Sequence, residues 1–523
     1  MTDEELERLT TIEKRIGELA EEFGLRTTEI DFEIVSPQKM MEAMAYMYPT
    51  NFSHWSRGRD FERLKTIYDY TGSGLPYEVV WNFKSPRAFL MKTNPFILNV
   101  VVMAHVYGHV DFNLRNTFVS RGRELVDIAT EARHAVKRFE EYENKYGKER
   151  VEKVIEAGLS MQWLQNPNPL AEEMDEDVLR ERLLELAQAK LKKARGKNSN
   201  FAKKASDNEI SQLEINIKKL KFKTPPEPTY DVLGYIIKHS RRLQDWQKDI
   251  LSVIRTQANS LMKQARTKLL NEGWATYWHT HIMRKLFEEG WFDHEDHEVY
   301  TKFHSAVLAE NKMGFNWYRI GYGLYEYIKE RWDKGQFGPA WEKETNSNKR
   351  AQWDTGAMLG AEKLFKVSEN LTDRMAIEEF FTDEFIHREQ LYVYAEVPNF
   401  MRPGESRYVI VEDDPEVIRA LLVAQHTSYG APMISIWDGN YKNNGELYIK
   451  HHFTGFELDS IYENGALEYF YFVWGKPVYL ETVEIDVDQD MATGERIVEQ
   501  IPILHIYNGR KHSIQYLENS KLP

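Results

Sequence analysis

Phe96-Ile97-Leu98-Asn99-Val100-Val101-Val102-Met103-Ala104-His105-Val106-Tyr107-Gly108-His109-Val110 is the most apolar window of this chain, and its reading decides the fold. It opens directly after Pro95, is interrupted by Asn99 and two histidines, and is too short to span a bilayer. It reads as a core helix. Histidines four apart on a helix project from one side, so both imidazoles can reach one ion. Two such rings among valines are costly to bury without partners, and Gly108 leaves room beside them. A second stretch, Asn271-Glu272-Gly273-Trp274-Ala275-Thr276-Tyr277-Trp278-His279, supplies the complement. Glu272 there is a candidate third ligand, completing a His105, His109, Glu272 set. His279, seven residues on and on the same face, is a fourth ligand or a donor to an oxyanion.

The chemistry of that set is a divalent metal's. Two histidines and one carboxylate suit zinc first, with iron or manganese as alternatives. An open position on such an ion polarises a substrate oxygen or lowers the pKa of water to about 7. In hydrolases with the His-Glu-x-x-His motif the residue after the first histidine is the general base, whereas here it is Val106. A base would come from Asp111, Glu131, His134 or Glu143. Asp111, His279 and Glu143 are taken as the catalytic candidates. Around them, His54, His134, Trp274, Tyr277 and His304 are candidates for supporting the ligands or lining the cleft, with Trp55, Arg57 and Arg59 beside His54 in a glycine-containing loop. The plainer reading of Trp274, Tyr277 and Trp278 is packing.

Outward from the two stretches, helical spacing recurs at Leu6, Leu9, Ile12, Ile16 and Leu19, and residues 1–48 read as helices. Residues 49–94 read as irregular, with a short strand at Tyr77–Trp81. Helical periodicity fills about 95–164 and 230–335. Between them, 165–228 is a charged, mostly helical insertion bounded by Asn166-Pro167-Asn168-Pro169 and Thr224-Pro225-Pro226-Glu227-Pro228, with a basic run from Lys190 to Lys204. Beyond about 370, alternating runs at 390–394, 407–411 and 446–450, a helix over 415–426, and strands over 477–487 and 496–507 point to a small α+β domain. The expected architecture is a mainly α domain, 1–370, whose metal-bearing helices pack in zincin-like fashion, followed by an α+β domain, 371–523.

The totals narrow the function. A net charge of −14 argues against a general nucleic-acid binder. With no cysteine there are no disulfides, thiolate nucleophiles or Cys-type zinc sites. That composition and the polar start Met1-Thr2-Asp3-Glu4-Glu5, unlike a signal peptide, lead to the expectation of a cytoplasmic protein with no membrane partner. The 13 Trp and 28 Tyr imply a core or cleft rich in large rings.

The chain resembles the SpoVR family, named for stage V sporulation protein R. The resemblance runs from Phe32-Glu33-Ile34-Val35 through His54-Trp55-Ser56, Leu75-Pro76-Tyr77-Glu78 and the His105 to Phe112 stretch to Trp246-Gln247. It is most specific at Asn271-Glu272-Gly273-Trp274-Ala275 and Tyr277-Trp278-His279, and continues at His304-Ser305 and Asn316. Val106 agrees with the family, so the missing glutamate is a family property. Thr256 and Gln257 depart from it, standing where relatives are usually acidic. The resemblance implies a cytoplasmic protein linked to spore cortex formation, working beside a serine protein kinase and a von Willebrand factor A-like protein. Three functional readings follow: a metal-dependent hydrolase-like enzyme, a metal-stabilised adaptor for the kinase module, and a metal-free protein with its histidines bonded into an aromatic core.

Overall fold

A computed structural model of the chain describes residues 2–46, 61–63, 65, 78–81, 85–120, 128–168, 170–171, 174–195, 207–312, 314–398, 406–489 and 496–517. Its described helices, numbered along the chain, begin with α1 (Asp3–Glu22), α2 (Pro37–Tyr46), α3 (Phe96–Arg115), α4 (Thr117–Ser120), α5 (Ile128–Tyr146) and α6 (Lys148–Met161). Then come α7 (Glu176–Arg195), α8 (Asp207–Phe222), α9 (Val232–His239), α10 (Asp245–Ala265), α11 (Lys268–Glu288), α12 (His294–Val307) and α13 (Trp317–Asp333). The last are α14 (Gly338–Glu342), α15 (Ser347–Ala351), α16 (Gly360–Asn370), α17 (Asp373–Phe380), α18 (Asp383–Arg388), α19 (Pro415–Ser428) and α20 (Ser460–Trp474). None of them is long and apolar enough to cross a membrane. The protein is mostly helical, with a C-terminal region of strands and helices, in agreement with the sequence.

The chain divides into two compact units, each made of two segments: Met1–Val136 with Ser260–Tyr429, and Lys137–Asn259 with Gly430–Pro523. This differs from the linear division expected at residue 370. The stretch from 371 to 429 packs in the first unit because α17, α18 and α19 bury Ile377, Phe380, Phe385, Ile386, Ile418 and Leu422 in that unit's core. The charged insertion, in turn, belongs to the same unit as the C-terminal strands.

In the first unit α3 is buried on every side, from Ile97 to Asn113, which is why its sequence is apolar all round instead of amphipathic. It packs along α11, and α11 also packs along α13. Small residues set both approaches. A Cβ on Gly108 would lie 2.6 Å from the Ala275 Cα, and one on Gly273 would lie 2.4 Å from the Gly321 carbonyl carbon. Beside the helices lies a three-stranded sheet of order β1-β3-β2, built from β1 (Asp31–Val35), β2 (Glu78–Trp81) and β3 (Arg87–Met91). β1 falls inside the stretch read as helical; its Phe32 and Ile34 extend along β3 in parallel register, Ile34 opposite Leu90. A hairpin of β4 (Val393–Pro398) and β5 (Ser406–Glu412) completes the unit's strands among the described residues.

The second unit holds a five-stranded sheet of order β10-β9-β8-β7-β6. Its strands are β6 (Ile434–Tyr441), β7 (Glu446–His451), β8 (Val478–Gln489), β9 (Arg496–Tyr507) and β10 (His512–Tyr516). β7 and β8 run parallel, with α20 as the connection such a pair requires. Leu447, Ile449 and Leu480 on the strands and Leu467, Phe470 and Val473 on α20 are all buried. The insertion forms α7 and α8, a pair that packs together and buries little else: Ala187 is the one fully buried residue of α7.

Candidate metal centre

His105 and His109 leave α3 one turn apart, and α11 places Glu272 against them. The ligand atoms of the three side chains lie within 4.8 Å of one another. The Glu272 Oε2 is 3.5 Å from His105 Nε2 and 3.6 Å from His109 Nε2. These separations are too long for hydrogen bonds. His105 Nε2 and Glu272 Oε2 are buried and have no hydrogen-bond partner. Buried polar atoms left bare are costly and uncommon, and a shared cation would satisfy both. Among the described residues no fourth His, Asp or Glu joins the group. The Glu272 side chain remains 16% exposed, so solvent reaches the edge of the triad.

Both rings are held from behind. His109 Nδ1 lies 3.0 Å from the Asn271 Oδ1. An amide oxygen only accepts, so the ring proton sits on Nδ1 and the Nε2 lone pair faces Glu272. His105 Nδ1 lies 3.0 Å from His279 Nδ1, and His279 Nε2 lies 3.2 Å from His304 Nδ1. Two assignments satisfy both contacts. In one, His105 donates to His279 and His279 to His304, which leaves His105 Nε2 with the free lone pair a ligand needs; the reverse puts a proton on His105 Nε2, facing Glu272. Outer hydrogen bonds of this kind fix tautomer and ring orientation in metal sites.

The electrostatics agree. Burial, reinforced by His105, pushes the His109 imidazole down to about 4 against the pull of Glu272 and Asn271. Burial and the neighbouring rings hold His279 far below its ordinary range, and burial lowers His304. For Glu272, burial alone would raise the carboxyl, yet the two imidazoles and Lys268 outweigh it and keep it below the usual carboxylate value. A neutral His109 imidazole beside an ionised carboxylate is the pairing of protonation states a divalent ion binds.

The other expected residues fall in different places. Asp111 does not face the triad. It is fully buried on another side of α3, where its oxygens accept from the Arg26 amide at 2.7 Å, the Arg115 guanidinium at 2.8 Å and the Trp274 indole at 2.8 Å. With its lone pairs so engaged it ties the segment after α1 to α3 and α11 and is not a base poised over the ligands. Glu143 belongs to the second unit, whereas all three ligands belong to the first. His134 is exposed on α5, the helix that also carries Glu131. Trp274 and Tyr277 are core residues: their rings stack 6.4 Å apart, and each packs against Tyr325. His279 sits behind His105 and is not within the ligand group. His304 closes the histidine chain, half-exposed on α12. His54, Trp55, Arg57 and Arg59 lie outside the described residues. Tyr318, with its ring 6.0 Å from that of His105, is a neighbour that the sequence did not single out for this role. Asn271 is another; it was visible in the motif, but its hydrogen bond depends on how α3 meets α11.

Residues 3–431 match the family described as SpoVR like protein, a span that takes in nearly all of the first unit. The chain is also similar to the uncharacterized protein YcgB of Escherichia coli (strain K12), with 24% identity over 493 residues, 89% of this chain and 90% of that protein. No solved structure matches.

Proposed function

Since the chain belongs to the SpoVR family, we propose that it is a metal-dependent, hydrolase-like member that holds one divalent ion, zinc by preference, between His105, His109 and Glu272. The observation that carries this is the pair of bare, buried ligand atoms, His105 Nε2 and Glu272 Oε2. The two-nitrogen, one-carboxylate donor set fits zinc, with iron or manganese as substitutes. Three protein ligands and a solvent-reached edge favour an open over a closed site. When bound, the ion would supply Lewis-acid polarisation of a water or a carbonyl oxygen. The chain's own residues do the rest: Asn271 and His279 orient the ligand rings, and α3 and α11 keep the inner side dry.

A second reading is favoured by one observation. Asp111 is locked elsewhere, and no further carboxylate joins the triad among the described residues. On that reading the ion is structural, and the protein serves as a cytoplasmic adaptor for a serine protein kinase and a von Willebrand factor A-like protein, in spore cortex formation or stress physiology.

Metal content of tag-free protein, measured by plasma mass spectrometry, tests the shared premise. We expect about one ion per chain, lost in His105→Ala and in Glu272→Gln. A wild-type protein that carries no ion, and takes up none from zinc, manganese or iron solutions, would overturn both readings. Hydrolysis of amide or ester probes by the loaded protein, absent in Glu272→Gln, separates enzyme from adaptor.

A further inference from the structure

The helix that presents Glu272 does not cap itself. Thr267, at the N-cap of α11, makes no side-chain bond to the helix's first amides. Its hydroxyl turns back to the Lys263 and Gln264 carbonyls, at 3.3 and 3.2 Å. The first turn is held instead from a distant point in the chain. The Asp373 carboxylate accepts from the Leu269 amide at 2.8 Å on one oxygen and from the Leu270 amide at 3.0 Å on the other. Asp373 is not needed for its own helix, because α17 is capped by Thr372, whose hydroxyl accepts from the Met375 amide.

We propose that Asp373 is a positioning residue of the metal centre: from α17 it caps the first turn of α11 and so fixes where Asn271 and Glu272 stand against α3. The proposal rests on the reading of His105, His109 and Glu272 as a metal site. The hold is two-sided. The Asp373 backbone amide donates to the Arg266 carbonyl at 2.9 Å, clamping the residue that precedes the N-cap of α11. The Tyr325 hydroxyl donates to the Leu270 carbonyl at 3.2 Å. Leu270 is therefore tied at both its N–H and its C=O, and the next two residues are the ligand's orienting partner and the ligand itself. Capping by a carboxylate is favourable at a helix N-terminus, but a solvent-facing cap would do that at less desolvation cost. Asp373 is fully buried. What a buried clamp adds over an exposed one is rigidity of the turn it grips.

The test is hydrogen exchange and zinc affinity on the full chain, with Asp373→Asn compared with Ile386→Ala, a core truncation on α18. In Asp373→Asn we expect the amides of residues 269–272 to exchange at least tenfold faster in metal-free protein, and zinc to bind 10- to 100-fold more weakly by chelator competition. Ile386→Ala should lower the Tm and leave both readouts near wild type. Wild-type exchange over residues 269–272 in Asp373→Asn would overturn the proposal, as would wild-type zinc affinity. It would also fall if Ile386→Ala reproduced both changes, since loss of stability would then suffice. Failure of the metal reading is distinguishable: wild-type protein would take up no zinc, while the exchange experiment would still decide whether Asp373 holds the turn.

Discussion

At the scale of single residues, a ligand's back matters as much as its face. His109 is aimed by one hydrogen bond, Nδ1 to Asn271 Oδ1 at 3.0 Å. Asn271→Ala should therefore keep the fold and weaken zinc binding by about 10- to 100-fold, the usual cost of losing such an outer partner; chelator competition measures it. A second residue-level expectation concerns pH and lies in the other unit. Burial, then the neighbouring His452, push the His451 imidazole down to about 4, with its Nδ1 2.8 Å from the Thr482 hydroxyl. In the unfolded chain the same ring titrates near 6.5. Below that pH the unfolded chain binds a proton that the folded unit refuses. The contribution to stability is whole above about pH 6.5 and is lost as pH falls through 4. Denaturant titrations from pH 7 to 4 should show that decline, and His451→Gln should flatten it. Residue identities were the most legible part of the site. The i, i+4 histidines and the Glu272 motif declare their chemistry by type and spacing. Asp373 does not, because nothing around it in sequence reveals that its carboxylate reaches another helix.

At the scale of elements, the site exists because three helices come unusually close. α11 lies against α3 over Gly108 and against α13 over Gly273 and Gly321. The neighbour a new Cβ would strike is backbone, which cannot rotate away. Gly108→Ala and Gly273→Ala should each cost about 1–3 kcal/mol by overpacking, read as a fall in the denaturation midpoint. Gly108→Ala should also lower metal affinity, since it pushes apart the two helices that share the ion. The helices themselves were legible from the apolar run at 96–110 and from periodicity elsewhere. β1 was not, because a five-residue strand between two helical patterns carries too short an alternation to be separated from them. Asp111 illustrates the same limit. Its type made it a candidate base, but two steps along a helix from His109 turn its side chain well away from the ligands.

At the scale of the whole molecule, each unit has buried apolar residues of its own, and His105, His109 and Glu272 all belong to the first. Calorimetry should resolve two transitions, and zinc should raise only the one belonging to the first unit, by roughly 2.7 kcal/mol of stabilisation at a hundredfold excess over Kd. His451→Gln should move only the other, and a single transition that responds to both would contradict this division. The division itself was illegible. Composition marked 165–228 as an insertion, but which strands share its unit is decided by pairings far apart in sequence. That discontinuity has a consequence for how the protein is made. His109 and Asn271 are 162 residues apart, and the whole first segment of the second unit is translated between them. At 5–20 residues per second, the ribosome needs roughly 10–30 s to cross that gap. Throughout it the histidine-bearing helix has left or is leaving the exit tunnel without the helix that covers it. On the proposed metal reading, an ion could be taken up only late in biogenesis, and until then the nascent valine-rich segment waits without the helix that covers it.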